Sequence, residues 1–486
     1  MAPIPQNILP DSDPKFQLNS SGLAGFFGGD EAISAMNTTQ FYQGRNLMGF
    51  YNSPGGFRMA KHYGRLAKSP LWRGFFPEGY LEPHEVFNLD GGPGKLSPDF
   101  WGSHNGAVLE KIGHLGFLFF KKMRDRPANF ITINSRRPPT RLSKLTIVKL
   151  NSITLPPKNP KLNVPSTYIP IFQLHILLCN AIPMLFSVGA AVVSVLSEKP
   201  DWYAFSLILL GMIAHGAACL VLGSGKIRVD FVTPPRDLAT GGLMMMDGRM
   251  VVVLGREQEM FQLTRASIAV DFPDWVKRGD YWIVGFSCLL LMVQLLVQLF
   301  IIPQATLFGQ ILFLSSFLVS WLYNTYIAAI DKEDLQRQAL GKKIWNVDKK
   351  EVQGYVFENH TTLVIAMLYI LQPAKGVAEQ FLDRHIPIHT PDWKAFKRAV
   401  VEEYENGHFL RDPPDPCNYE GIVRNMYLDW HDAVGFYKKF RPRGDMSEKL
   451  VNDVEDASVT RRYPSSSLSH ENRPTSMMMD ETWVQI

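Results

Sequence analysis

Fifty consecutive residues without a charged side chain constrain this chain more than any other feature of its sequence. Between Asp280 and Asp331 the sequence reads YWIVGFSCLLLMVQLLVQLFIIPQATLFGQILFLSSFLVSWLYNTYIAAI, whereas about a quarter of the residues of an average protein are charged. A membrane helix needs about 20 apolar residues. The run is therefore long enough for two such helices, divided at Pro303 and Gln304, and predicts a transmembrane hairpin over residues 281–330.

Two further apolar segments lie upstream of this run. Residues 171–196 and 202–222 are joined by the short polar sequence SEKPD, which predicts a first hairpin over 171–222. We therefore expect an α-helical integral membrane protein with four transmembrane helices arranged as two hairpins. Two other apolar runs, at 106–120 and 361–372, are interrupted by charges or too short to span a bilayer.

Basic residues predict the orientation of the four helices. Residues 121–161 contain eleven Lys or Arg side chains and one acid, Asp125, whereas the loop between the first two helices offers only Lys199. Because loops rich in Lys and Arg stay in the cytosol, we expect both termini there, in the plasma membrane or an endomembrane. The expected partners are the lipid bilayer, anionic lipids at the basic segment 121–161, and other proteins. Nucleic acid is not expected, because no aromatic-interleaved basic motif accompanies the charge.

The remaining regions divide by composition. Residues 1–168 are rich in Gly, Pro and aromatic side chains and end in the polybasic juxtamembrane segment, so we expect irregular, partly ordered segments that dock on other elements. Residues 331–440, including KKEVQGYVFENHTTLVIAMLYIL, are expected to form a cytosolic helical region. Residues 441–486 are polar and are expected to be disordered.

The loop 223–280 contains the sequence GGLMMMDGRMVVVLG at 241–255. Asp247 and Gly248, set between two apolar runs, indicate a type I′ turn and hence a small cytosolic β-hairpin. The sequence GREQEMFQLT that follows is expected to add a third strand, because an isolated two-stranded hairpin is only marginally stable.

Motifs that carry chemistry are not found in the sequence. It lacks the Gly-x-Ser-x-Gly elbow, the His-Glu-x-x-His pair and the protein-kinase motifs. His385, His389 and Asp392 offer metal-ligand side chains, but Pro387 breaks the helix that would align them. We therefore expect no metal and no cofactor, and no catalytic residue is assigned.

Polar side chains inside the apolar helices are the best remaining candidates for a site. Their depths match in two groups, one on each hairpin, and polar groups in a membrane serve either as interhelical contacts or as functional groups such as proton relays. The candidates are His175, Asn180 and His215 on the first hairpin and Gln294, Gln298 and Gln310 on the second.

Two stretches carry a resemblance to a known group of proteins. FLVSWLYNTYIAAIDKEDLQRQAL, at 317–340, and GLMMMDGRMVVVLG, at 242–255, resemble multi-pass membrane proteins of fungi. The resemblance covers the middle third of the chain. It implies no activity, cofactor or site residue.

Three functions are open on this sequence. A membrane-anchored scaffold or regulatory adaptor is favoured, because the predicted cytosolic mass is large and catalytic motifs are absent from the sequence. A subunit of an oligomeric transporter or channel is the alternative, and a polar seam lined by His175, Asn180 and His215 would favour it. A membrane-embedded enzyme is the third, and would need carboxylates or histidines from 223–280 or 331–440 in one pocket.

Overall fold

The computed structural model describes residues 27–42, 44–89, 97–103, 105–126, 129–150, 161–163, 174–230, 239–341, 345, 347, 351–408 and 411–440. The helices are α1 (Gly29–Met36), α2 (Gly56–Gly64), α3 (Pro70–Phe75), α4 (Pro83–Val86), α5 (His114–Arg124), α6 (Leu174–Leu196), α7 (Trp202–Leu222), α8 (Glu257–Arg265), α9 (Asp274–Ile301), α10 (Leu307–Ala328), α11 (Lys332–Gly341), α12 (His360–Leu371), α13 (Val377–His385), α14 (Pro391–Glu405) and α15 (Gly421–Phe440). Short 3₁₀ helices cover Thr39–Phe41, Arg45–Met48, Ile302–Gln304 and Pro416–Asn418.

The strands are β1 (Asp99–Gly102), β2 (Val108–Leu109), β3 (Phe130–Ile133), β4 (Ser143–Lys149), β5 (Lys161–Asn163), β6 (Lys226–Asp230), β7 (Ala239–Met246), β8 (Arg249–Arg256), β9 (Ser267–Asp271) and β10 (Val352–Phe357). The predicted disordered tail, 441–486, lies outside the described residues.

Four helices, α6, α7, α9 and α10, are long and apolar enough to cross a membrane. This confirms the predicted number of spans at the level of length and composition. Helix α9 is broken near its start, because Gly279, Asp280 and Tyr281 have positive φ angles. Its continuous apolar part therefore begins at Trp282, just after the charged residues Lys277, Arg278 and Asp280.

These four helices, called the bundle below, pack around α7. Helix α7 contacts α6, α9 and α10, while α9 packs mainly against α7 and α2, and α10 mainly against α6 and α1. Although α9 and α10 are consecutive, each therefore packs mainly against other helices. The space that a closely packed second hairpin would fill is shared with the N-terminal helices α1 and α2.

A seven-stranded mixed sheet corrects the prediction of a small hairpin in an otherwise helical protein. Its strand order is β2-β1-β7-β8-β4-β10-β3, with parallel pairing of β4 to β8 and of β3 to β10. Strands β7 and β8 form an antiparallel hairpin around Asp247 and Gly248, whose φ angles are 53° and 69°. That hairpin is the centre of the sheet rather than an insertion, because its neighbours come from distant parts of the chain.

Two local predictions were wrong. The stretch GREQEMFQLT at 255–264, expected to add a third strand, instead completes β8 and forms most of helix α8, whose first turn is closed by the Glu259 carboxylate accepting from the Arg256 backbone N–H at 3.0 Å. Residues 352–357, expected as helix, form strand β10. In both places a single segment carried too weak a periodicity to separate helix from strand.

The sheet also fixes which segments share one end of the bundle. Its strands come from before α6, from between α7 and α9, and from after α10. Strands hydrogen-bonded in one sheet lie together, so all three segments lie on the same side of any membrane that the four helices cross. The helix ends next to these segments are the start of α6, the end of α7, the start of α9 and the end of α10. We call them the sheet-side ends of the bundle.

Helix α12 provides the core on one face of the sheet. Residues Thr361–Leu371 are all buried, and the helix packs against β4, β7, β8 and β10. Around it, Arg137 makes two hydrogen bonds to the buried Asp429 carboxylate of α15, at 2.8 and 2.6 Å. The region 331–440 therefore shares its core with strands from the N-terminal part of the chain.

Candidate functional site

Residues 49–56, with the sequence GFYNSPGG, form an irregular segment inserted among the bundle helices. We call them the inserted segment. Gly49 and all residues from Tyr51 to Gly56 are buried. Pro54 and the glycines favour turns over a continuous helix, so the chain reaches the interior as a loop.

Asn52 is the centre of this segment and is fully buried. Its backbone N–H donates to Ser187 Oγ of α6 at 3.1 Å, and its Nδ2 donates to Ser316 Oγ of α10 at 2.8 Å. A Cβ atom placed on Gly211 of α7 would lie 2.0 Å from Asn52 Oδ1 and 3.3 Å from Gln294 Nε2 of α9. Asn52 therefore lies between three bundle helices, with a side chain of the fourth alongside.

The contacts of Asn52 lie at the middle of the bundle. The midpoints of α6, α7 and α10 fall at positions 185, 212 and 317–318, and Ser187, Gly211 and Ser316 each lie within two residues of them. At 1.5 Å per residue, Gly211 is about 14 Å from the start of α7 and about 17 Å from its end. The inserted segment thus reaches half-way through the bundle.

Small residues on α7 make room for the inserted segment. A Cβ on Gly216 would lie 2.2 Å from Phe50 Cδ1, and one on Gly49 would lie 2.2 Å from Cys219 Cβ. These small-residue positions of α7 therefore receive the inserted segment, whereas small residues in apolar helices more often receive a neighbouring helix.

Two short helices begin side by side at the inserted segment. Gly28 and Gly55, which precede α1 and α2, both have left-handed φ angles, of 73° and 79°. A Cβ on Gly55 would lie 2.4 Å from the Gly29 Cα. From this point α2 packs along α9, while α1 packs on α10 and ends at Met36, whose Sδ lies 3.8 Å from Cys219 Sγ.

Hydrogen bonds fix the inserted segment to its neighbours on the sheet side of Asn52. Tyr51 Oη donates to Asn324 Oδ1 at 2.9 Å, and Asn324 Nδ2 donates to Ser53 Oγ at 3.1 Å. His215 Nδ1 lies 2.6 Å from the Gly49 carbonyl oxygen. Because a carbonyl only accepts, Nδ1 carries a proton and donates this bond.

A small cavity of about 10 Å³ lies beside the inserted segment. That volume is close to what one water molecule requires. Its lining includes one cation and several uncharged polar side chains: Arg45, Asn180, His215, Tyr51 and Tyr323.

Arg45 is the most unusual group in this lining, since it is only 6% exposed. Its guanidinium donates to Thr38 Oγ1 and lies 5.9 Å from the centre of the Tyr42 ring. Within the part of the chain that the structure describes, no carboxylate lies within 4.0 Å of it. A buried charge is costly unless it is paired, so this arginine marks the cavity as electropositive.

The polar residues singled out from the sequence lie at different places in the structure. Asn180 and His215 line the same cavity, while His175 lies on α6 with its side chain outside the described part. Gln294 and Gln298 are buried on α9, each with one side-chain atom that has no hydrogen-bond partner among the described residues. Gln310 Nε2 donates to the Ala305 carbonyl near the opposite end of the bundle.

Sequence reasoning missed the residues that the N-terminal region contributes. Arg45, Tyr51 and Asn52 were assigned to irregular segments that dock on other elements, whereas the structure places Asn52 at the middle of the bundle and Arg45 beside the cavity nearer to its sheet-side end. One signal was present: residues 46–57 carry no charge and combine aromatic side chains with Gly and Pro. A stretch of twelve residues is too short to span a membrane, but it is long enough to enter one and return.

The geometry does not support a metal site at the C-terminal histidines. His389 Nδ1 lies 3.9 Å from Asp383 Oδ1, and the His385 ring is buried against Phe381, so His385, His389 and Asp392 do not form one cluster. Among the described residues, no group of three or more His, Cys, Asp or Glu side chains could hold a metal ion.

Comparisons with protein-family models, with curated proteins and with solved structures gave no match. The function is therefore argued from the site alone.

Proposed function

We propose that this chain is an integral membrane protein whose bundle forms part of a pathway for small ions or polar solutes, as a transporter or channel subunit. The observation that carries the proposal is the inserted segment, a non-helical stretch held half-way through four apolar helices. In a bilayer, such backbone is tolerated only where it is buried in protein or lines a water-filled cavity. Broken or re-entrant segments at this depth are a recurring feature of transport sites.

The surface of the bundle supports membrane insertion. Large apolar side chains face outward along all four helices, including Leu185, Ile213, Phe300 and Leu318. Trp202 and Trp282, both exposed, lie at opposite ends of the bundle, as aromatic side chains do at the two membrane interfaces. The basic residues of 121–161 favour the cytosolic side for the sheet.

The polar groups at the bundle centre support a role beyond anchoring. Asn52 Oδ1, Gln294 Oε1 and Ser320 Oγ are buried without a hydrogen-bond partner among the described residues. An unsatisfied buried polar group costs about 1–3 kcal/mol. A bundle that served only as an anchor would be more stable without these unsatisfied polar groups. A pathway for ions or polar solutes, by contrast, needs polar side chains at its centre.

An exposed ion pair supports water access from the sheet side. Arg58 Nη1 and Asp30 Oδ2 are 2.6 Å apart, on side chains that are 46% and 79% exposed. They flank Gly28, whose Cβ would lie 3.0 Å from the Trp321 ring, and Trp321 is about 10 Å from the end of α10 at 1.5 Å per residue. Charged side chains at such depth face water, so we infer a vestibule that opens on this side.

A scaffold or regulatory adaptor remains the competing hypothesis. The sheet and helices α12–α15 offer a large soluble surface for it, but the scaffold hypothesis does not explain the inserted segment. The two hypotheses differ in one measurable property, the permeability of a membrane that contains the protein.

Flux through proteoliposomes tests the proposal. The full-length protein would be reconstituted, and the passage of KCl, sodium gluconate and glycerol followed by light scattering after an osmotic step. We expect faster passage of at least one solute than in protein-free vesicles, and its loss in Asn52→Leu. Leu185→Ala, on the outer surface at the same depth, is the matched control and should keep the flux. Permeability equal to that of protein-free vesicles for every solute would contradict the proposal and favour the scaffold.

A further inference from the structure

We propose that the cavity beside Arg45 binds a halide ion. This inference rests on the proposed pathway, within which the cavity would be a binding position for the transported or regulating anion. Three properties of the cavity support it: its charge, its hydrogen-bond donors and its size.

The charge comes from Arg45. Its guanidinium has five N–H donors; one of them bonds to Thr38 Oγ1, and the guanidinium also lies next to the Tyr323 hydroxyl. Among the described residues, the cavity lining also includes the polar side chains of Tyr51, Tyr323, Asn180 and His215, and it contains no Asp or Glu. An anion at the cavity would offset the cost of burying this charge without requiring a carboxylate from the protein.

Hydroxyl donors add to the charge. The Oη atoms of Tyr42 and Tyr323 are buried and have no hydrogen-bond partner among the described residues. Tyr323 lines the cavity directly and is only 7% exposed. Tyr51 Oη and His215 Nδ1, by contrast, already donate to Asn324 and to Gly49. The Tyr323 phenol and the Arg45 guanidinium therefore both line the cavity and can donate to an anion, while the Tyr42 ring lies beside the guanidinium.

The size of the cavity selects among anions. A volume of about 10 Å³ admits one particle of roughly the size of water. Fluoride is close to a water molecule in size and meets this limit, chloride and bromide are larger and need the lining side chains to shift outward, and an organic acid would need the inserted segment to move.

A soft cation is the competing occupant, because Met36, Met48, Cys219 and His215 also line the cavity. Cys219 Sγ lies 3.8 Å from Met36 Sδ and 3.9 Å from His215 Nε2. Thioether, thiol and imidazole suit monovalent copper or silver. The guanidinium of Arg45 in the same lining repels a cation, which is why we favour the anion.

Thermal unfolding of the purified full-length protein tests the inference. Melting would be followed in sodium fluoride, chloride or bromide, each replaced stepwise by sodium gluconate at constant ionic strength. A ligand that binds only the folded state raises the melting temperature with its concentration. We expect such a rise for at least one halide, its loss in Arg45→Gln, and its retention in Arg58→Gln, the matched change at the exposed arginine of α2.

Two further variants keep the test decisive if Arg45→Gln does not fold. Tyr323→Phe removes a donor but keeps the ring, and should weaken the halide effect several-fold. Arg45→Lys keeps the charge, and should retain part of the effect. A melting temperature that is the same in every halide as in gluconate would overturn the inference, and so would stabilisation by silver nitrate without any halide effect.

The outcome is separable from that of the flux experiment. Halide stabilisation without solute flux would support the site and contradict the pathway. Flux without halide stabilisation would support the pathway and overturn the anion site.

Discussion

The backbone N–H of Asn52 donates to the Ser187 hydroxyl at 3.1 Å, although the two residues lie 135 positions apart in the chain. Ser187 is near the midpoint of a 23-residue apolar helix, and Asn52 belongs to a Gly- and Pro-rich stretch of the N-terminal region. This single contact brings a loop into the centre of the bundle. The first prediction concerns the space that it occupies.

Gly211→Val should displace the inserted segment. The new Cβ would lie 2.0 Å from Asn52 Oδ1, and that side chain cannot turn away without breaking its bond to Ser316. Overpacking of this kind costs about 1–3 kcal/mol. Thermal stability in detergent measures the loss, and Gly189→Val on α6, whose Cβ meets nothing within 4 Å, should be unaffected. Equal stability of the two variants would argue against the insertion.

Replacing His215 should distinguish its hydrogen bond from its ability to titrate. Leucine leaves the Gly49 carbonyl without its donor, at a cost of about 1–3 kcal/mol, whereas asparagine and glutamine can still donate. We therefore expect melting temperatures close to the wild type for both amide variants and a lower one for His215→Leu. If both amides retained stability but lost solute flux, a proton-relay role for His215 would replace the structural one.

Gly248→Val should destabilise the seven-stranded sheet. Gly248 has a φ angle of 69°, and a Cβ there would meet only Arg141 Nη2, at 3.7 Å, so the cost comes from backbone conformation rather than from a clash. A β-branched residue forced into this region loses about 1–3 kcal/mol. Protease resistance of the 239–256 hairpin reports the change. Gly248→Asn, which tolerates positive φ, is the control, and a valine variant as resistant as the asparagine variant would contradict the turn.

The C-terminal helices should lose stability as the pH falls. Burial, with the nearby charges of Arg384 and His360, lowers the pKa of His385 to about 4, against about 6.5 in the unfolded chain. Because the folded form binds its proton less readily, the stabilisation from neutral His385 is fully present above pH 6.5 and is lost between pH 6.5 and 4. At pH 4.5 the loss is roughly 2–3 kcal/mol. Denaturant titration at several pH values measures it, and His385→Gln should flatten the slope; an unchanged slope would show that His385 does not contribute.

The sequence predicted the four long apolar helices well and the architecture around them poorly. The uncharged run at 281–330 allows few environments other than hydrocarbon, so the lengths of α9 and α10 followed from composition. The sheet did not follow, because all four long helices lie between β4 and β10 in the chain, two of them before β8 and two after it, and no local pattern records that pairing.

The same distinction applies to the candidate site. Asn180 and His215 could be related from the sequence, since residues on two antiparallel helices of one hairpin match in depth by counting. Asn52 could not, because its position depends on Gly211 leaving room on α7, and Arg45 could not, because it reaches the cavity on the 3₁₀ helix that precedes the inserted segment. Which polar residues of an irregular N-terminal region become buried in the bundle is decided by contacts with distant parts of the chain. The local sequence does not record those contacts.

Cross-linking in native membranes tests the position of the inserted segment most directly. In a chain whose four native cysteines are replaced, Asn52→Cys would be paired with Ser316→Cys, and disulfide formation with membrane-permeant iodine scored after cleavage between the two sites. The account predicts efficient cross-linking of position 52 to position 316, and none of position 52 to Leu185→Cys on the outer surface of α6. If the thiol introduced at position 52 did not cross-link and reacted readily with a membrane-impermeant maleimide, the segment would lie outside the bundle, and both the pathway and the anion site would lose their basis.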